Sequence, residues 1–252
     1  MRKVFILIFS IFPLFVYPEV KQEIKKSFDY PEISRMRLSN VNGEISIQSW
    51  EKNKIEVLAV KKTKWNHEAL ERVEVVMEVD GDLLKIKTEY RKKFLFLDGD
   101  RAWVDYSVKV PQKFDLKSIK NVNGEIHLEN LQGDIETATV NGRISIVNCG
   151  GSLKANTVNG SIDASLNYIK NYVDINTVNG SIDLSIPLNI DGELEVNTIN
   201  GKISSDLSIT LKDFYFHSRK LRATLGDGGI PIKLSTINGS ITISELKDRS
   251  RI

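Results

Sequence analysis

The chain has 252 residues, 41% of them hydrophobic and 27% charged, with a formal net charge of +2. That length buries a substantial core, and so even a charge balance argues against nucleic acid as a partner, because phosphate binding needs a basic excess on some face. Cys149 is the single cysteine, so no intramolecular disulfide is available to stiffen the fold.

The N-terminus opens with Met1, Arg2 and Lys3 and continues VFILIFSIFPLFVY, a basic segment followed by fourteen uncharged residues. Residues 1–18 therefore read as an export signal. The run is short for a membrane span, which needs roughly 20 apolar residues, and Pro13 interrupts it. No small-x-small cleavage site and no lipid-accepting cysteine lies near Tyr17, so an uncleaved anchor, the one expected membrane contact, stays open. Arg2 and Lys3 supply the whole net charge; from Glu19 onward 33 basic residues face 33 acidic ones.

Residues 19–111 form the first part of the folded chain. Strand-like alternation covers 54–60, 73–79, 83–88 and 104–110, with a hairpin turn at Asp80-Gly81-Asp82 and a short polar helix over 66–72. An antiparallel N-terminal β cap, continuous with a solenoid over the rest of the chain, is expected here. The apolar run Phe94-Leu95-Phe96-Leu97 either packs against the fold or presents an exposed patch, through Phe94 and Phe96, to a partner.

Residues 112–246 carry a repeat. Asn-Gly pairs fall at 42–43, 123–124, 141–142, 159–160, 179–180, 200–201 and 238–239, with spacings of 18, 18, 20, 21 and 38 from the second pair on. The octet NTVNGSID occurs twice, at 156–163 and 176–183. Isoleucine stands two residues after every Gly, and Val or Ile stands one before every Asn. Thr139, Thr157, Thr177, Thr198 and Thr236 form a further column, preceded by period-two alternation such as Leu153-x-Ala155 and Val173-x-Ile175. Each unit is therefore strand, Val-Asn-Gly turn, strand, with glycine expected to take positive φ at the turn. Asn-Gly also favours hairpins, but a meander gives no reason for identical columns. Parallel rungs about 4.8 Å apart do, since like residues then stack.

The fold class expected is all-β: a single-chain β-solenoid, or β-helix, of short 18–21-residue rungs. Parallel connections favour a right-handed coil. The last spacing of 38 implies a rung whose Asn-Gly was lost or replaced by a longer loop. Phe214 and Tyr215 sit in that interval as a second apolar run, and 247–252 reads as a charged, solvated tail.

Catalytic signatures are sparse. His67-Glu68 starts like a zinc-protease motif, but position 71 is Glu; no phosphate loop or nucleophile elbow is present. No cofactor, metal ligand set or catalytic residue is assigned. Three residues after Gly, the outward column includes Asp163 and Asp183, neighbouring carboxylates that could hold a cation or act on a saccharide, or simply be solvated among serines. Asn156, Asn176 and Asn197 form an outward column suited to sugar hydroxyls or to pairing with itself. Alternation puts the Thr column on the core face, where its hydroxyls should satisfy backbone groups.

With T-[VI]-N-G-x-I aligned, the chain resembles the bacterial "putative adhesin" family of domains of unknown function, from Ser39 to Ile243 and including GDGGIPIKLSTINGSI at 226–241. The resemblance implies an exported β-solenoid of the cell envelope, periplasm, surface or medium, and carries over no catalytic residues. The expectation is a non-enzymatic solenoid that binds envelope polysaccharide or an envelope protein through its surface. Two alternatives compete with it: a polysaccharide-acting β-helix enzyme using Asp163 and Asp183, and an envelope-stress structural or sensing protein that binds another protein.

Overall fold

The computed structural model describes residues 19–64, 67–91, 102–207, 212–217 and 219–246, the segment 212–217 by its backbone alone. Readings placed on 1–18, on Phe94 and Phe96, on the side chains of Phe214 and Tyr215, and on 247–252 lie outside the described residues.

In chain order, β1 (Val20–Asp29), β2 (Arg35–Ser39), β3 (Ile45–Trp50) and β4 (Lys54–Thr63) precede the helix α1 (His67–Glu71). β5 (Val73–Asp80), β6 (Leu83–Tyr90) and β7 (Ala102–Pro111) follow. Then come β8 (Asp115–Lys120), β9 (Ile126–Glu129), β10 (Ile135–Ala138), β11 (Ile144–Asn156) and β12 (Ile162–Asn176). β13 (Ile182–Ile186), β14 (Gly192–Asn200), β15 (Ile203–Ser205), β16 (Lys212–His217), β17 (Lys220–Leu225), β18 (Ile230–Asn238) and β19 (Ile241–Glu245) complete the order among the described residues.

Two parallel stacks result. The strands that follow the Asn-Gly corners stack, beyond β7 at one end, as β3, β9, the start of β11, the start of β12, β13, β19 and β15. Those that precede the corners stack, beyond β6 at one end, as β2, β8, β10, the end of β11, the end of β12, β18 and β14. Because β11 and β12 run through both stacks, the whole is one curled sheet, β-solenoid-like, as the identical columns required. Alternate residues point inward and are buried, among them Ile126, Ile144, Ile162, Ile182 and Ile241. The isoleucine column is the centre of the core.

The N-terminal block is antiparallel only in part. β1 pairs antiparallel with β4, β4 with β7, and β5 with β6. β2, β3, β6 and β7 instead join the parallel stacks. Local alternation identifies these strands but not their direction, since both kinds of sheet bury every second residue.

The rungs do not stack in the order of the sequence. Bridges run from Asn42 to Asn123, Asn141, Asn159, Asn179 and then Asn238. Asn200 stacks last, donating its amide to Asn238 at 2.9 Å. The expected lost rung within 203–238 is therefore corrected. The interval holds β16 and β17, an antiparallel pair of which β17 lies along the outer edge of β14. The chain then returns on the inner side of β14, and β18 fits between β12 and β14.

The reason for glycine at the corners is also corrected. Only Gly43 and Gly124 of the Asn-Gly glycines have positive φ, at 115° and 144°. What excludes a side chain is the next rung: a Cβ on Gly142, Gly160 or Gly239 would sit 2.0 Å from the carbonyl oxygen of the stacked glycine, and on Gly180 or Gly201 1.9 Å.

Candidate functional site

At the Asn-Gly corner the repeated polar residues bond to each other. Asn123, Asn141, Asn159, Asn179, Asn238 and Asn200 each donate Nδ2–H to the Oδ1 of the preceding rung, at 2.8–2.9 Å. Behind them the buried threonine hydroxyls donate to glycine carbonyls, as the alternation predicted: Thr177 to Gly160, Thr236 to Gly180 and Thr198 to Gly239, each at 2.9 Å. Asn121 replaces threonine in its rung and donates to the Gly43 carbonyl at 2.7 Å. The Val or Ile before each Asn points outward instead; Val122, Val140, Val158, Ile237 and Ile199 are all exposed.

Asp163 and Asp183 do face each other in register on β12 and β13. They are not a free carboxylate pair, because Nε of Arg143 donates to Asp163 Oδ2. That bond holds the Arg143 guanidinium above its ordinary range, with further attraction from Asp163, Glu125 and Asp183. The asparagine column is split: Asn156 pairs with Asn176, but Ser235 of the inserted β18 stands between Asn176 and Asn197. Asn176 donates to Asn156 at 3.2 Å and to Asp174 at 2.8 Å, so its amide is committed within the sheet. Among the described residues no three His, Cys, Asp or Glu side chains group to hold a metal. Cys149 is buried, and burial pushes its thiol up to about 11.

A concave surface lies at the opposite corner, where rungs re-enter the pre-corner stack. A cleft of about 360 Å³ is lined by Ser34, Arg35, Lys113, Asp115, Gln132, Asp134, Tyr168 and Lys170, over a floor of Gly133 and Gly151. Periodicity builds it as well. A second asparagine ladder borders it, Asn167 to Asn148 and Asn148 to Asn130, each at 2.5 Å. Asn130 and Asn148 take the left-handed conformation, with φ of 59° and 55°, that their short polar side chains tolerate. Asp115 accepts the backbone N–H of Asp134 at 2.9 Å, and Asp134 that of Ser152 at 3.2 Å. Burial pulls the Asp134 carboxyl upward, but Ser152, Lys170 and Lys117 bring it below the usual carboxylate range.

The cations around the cleft are unequally matched. Arg35 donates to Asp82, which raises the guanidinium pKa. Lys117 reaches Asp115 at 2.9 Å, whereas Lys170 stands 3.7 Å from Asp134. The buried Nε of Arg35 has no hydrogen-bond partner among the described residues. Tyr168 lies with its ring on Gly150, where a Cβ would come within 2.2 Å of the ring, yet the residue stays 42% exposed.

None of these cleft residues stood out in the sequence. A signal existed: Asn130, Asn148 and Asn167 recur at 18 and 19 residues, Gly133 and Gly151 at 18, and Asp115 and Asp134 at 19. The denser Asn-Gly columns masked it.

The model of the family described as Toastrack DUF4097 matches residues 117–244, which span the corners from Asn123 to Asn238. The chain belongs to the Toastrack DUF4097 family. No curated protein matches this Toastrack chain. Among solved structures it is similar to one from Clostridium sporogenes described as a "putative cell adhesion protein", with 13% identity and a TM-score of 0.53 over 90% of this chain and 100% of that one. A Bacteroides fragilis "putative adhesin" has 13% identity and a TM-score of 0.38, covering 89% of this chain and 97% of its own. At such identity the first likeness concerns the fold.

Proposed function

We propose that this Toastrack chain is an exported or cell-envelope β-solenoid that acts without catalysis, by binding envelope polysaccharide at its surface. The observation that carries the reading is the spending of the repeated polar columns on rung-to-rung bonds, with Arg143 on Asp163, while the cleft beside Tyr168 keeps open polar and aromatic surface. The name of the Clostridium sporogenes structure with the similar fold, a "putative cell adhesion protein", supports the same reading. In it, residues 1–18 direct the chain to the envelope and the antiparallel strands β1, β4 and β5 cap one end of a right-handed core.

The test is co-sedimentation of the full-length chain with isolated envelope polysaccharide, with new reducing ends measured in the same tube. Pelleting without new ends is the expected result. New ends that vanish in Asp163→Asn would replace this reading with hydrolysis, and the absence of both pelleting and cleavage would refute it.

A further inference from the structure

We propose that the cleft bordered by Tyr168 binds an acidic sugar, one or two uronic-acid residues of a polysaccharide, with a ring stacked on Tyr168 and a carboxylate met by Lys113 and Lys170. The inference rests on the surface-binding reading above and names its ligand. The cleft's volume of about 360 Å³ is at the lower end of the range for small-molecule sites, roughly 300–1,000 Å³, which fits a ring or two rather than a folded partner.

Three features of the lining select the chemistry. Tyr168 is clamped on Gly150 and keeps an open surface, so it offers a rigid, amphipathic platform at little cost in side-chain entropy. Sugar C–H faces stack on such a ring, and their hydroxyls need donors and acceptors beside it. Gln132, Ser34 and the bound carboxylates of Asp115 and Asp134 line the same space. The two carboxylates are held in place by backbone N–H groups of neighbouring rungs, so they offer fixed lone pairs rather than mobile charge.

Charge then favours an acid over a neutral sugar. Asp115 is matched by Lys117 and Arg35 by Asp82. Lys170 is only loosely matched by Asp134 at 3.7 Å, and Lys113 forms no ion pair among the described residues. The charge left over is positive.

The experiment is calorimetric titration of the full-length chain with digalacturonate, compared with the neutral disaccharide cellobiose. Digalacturonate is expected to bind, and cellobiose to bind about tenfold more weakly or not at all, the step corresponding to about 1.4 kcal/mol. Tyr168→Ala and Lys113→Gln should each weaken digalacturonate by about tenfold or more, while Tyr168→Phe and the distant Lys202→Gln leave it unchanged. Failure of digalacturonate to bind, equal binding of cellobiose, or binding indifferent to both cleft variants would overturn the assignment. Polysaccharide that still pellets with Tyr168→Ala and Lys113→Gln would remove the cleft but keep surface binding; wild-type protein that does not pellet removes the broader reading.

Discussion

Replacing Gly160 with alanine tests what holds the rungs at their spacing. The added Cβ would lie 2.0 Å from the Gly142 carbonyl oxygen, and an ordinary contact begins near 3.4 Å, so the two rungs must part by about 1.4 Å at that corner. Four hydrogen bonds span the same gap. They run from Asn159 N–H to Val140, from Gly142 N–H to Asn159, from Asn159 Nδ2 to Asn141 and from the Thr157 hydroxyl to Gly142. Each contributes a net of about 0.5–1.5 kcal/mol. Losing two or three of them gives a cost of about 3 kcal/mol, a large share of a typical stability of about 5–15 kcal/mol. Gly81→Ala is the control. Gly81 has φ of +60° but nothing within 4 Å of a Cβ, so its substitution costs only the left-handed strain, about 1–2 kcal/mol. Urea denaturation followed by tryptophan fluorescence gives both values. If Gly160→Ala costs no more than Gly81→Ala, close approach is not what fixes glycine at the corners.

One substitution should act with opposite sign at two threonines. Thr177→Val removes the hydroxyl that donates to Gly160 at 2.9 Å and should cost about 1 kcal/mol. Thr137 is buried with its hydroxyl unpartnered among the described residues, so Thr137→Val should be neutral or stabilise by up to about 1 kcal/mol; the same urea midpoints decide. Tyr106 is buried, its hydroxyl 2.6 Å from that of Thr88, and burial pushes its phenol up to about 12. The unfolded phenol titrates near 10, so the folded state keeps a proton that the unfolded state loses. Stability contributed by this group is whole below about pH 10 and falls as pH rises to about 12, by up to about 1.4 kcal/mol per unit. Tyr106→Phe should remove that part of the alkaline slope, and a difference curve unchanged between pH 10 and 12 would refute it.

The corner columns made the architecture legible because a solenoid repeats its contacts, and the core isoleucines and inward threonines stand where alternation put them. The order of the rungs was not legible, for the same reason. Ile232 of β18 pairs with Val173 on one side and Leu194 on the other, so columns that fit every neighbour name none. The valine before each Asn was legible as part of the turn, and Val158 is 40% exposed because it points outward at the corner. Asp163 was legible as an outward residue, but its partner Arg143 lies 20 positions earlier and is set by rung stacking. The cleft was least legible, because Arg35, Lys113 and Lys170 meet only once three rungs and their second corners are in place.

The inserted rung gives the chain a problem of timing. β14 and β15 emerge before β18 and β19, yet their parallel partners in the finished stack are β18 and β19. While the C-terminal segment is still being synthesised, β12 and β13 present an open edge, and the earliest rung able to reach it is the wrong one. Its Thr198, Asn200 and Ile203 match the columns of Thr177, Asn179 and Ile182 residue for residue. The antiparallel β16–β17 pair, arriving next, engages the far edge of β14 and leaves its near edge for the last arrival. Completion of this solenoid therefore waits on its last two strands described, Ile230–Asn238 and Ile241–Glu245, and a molecule cut short before them would close on a shorter stack with its rungs in the order of the sequence.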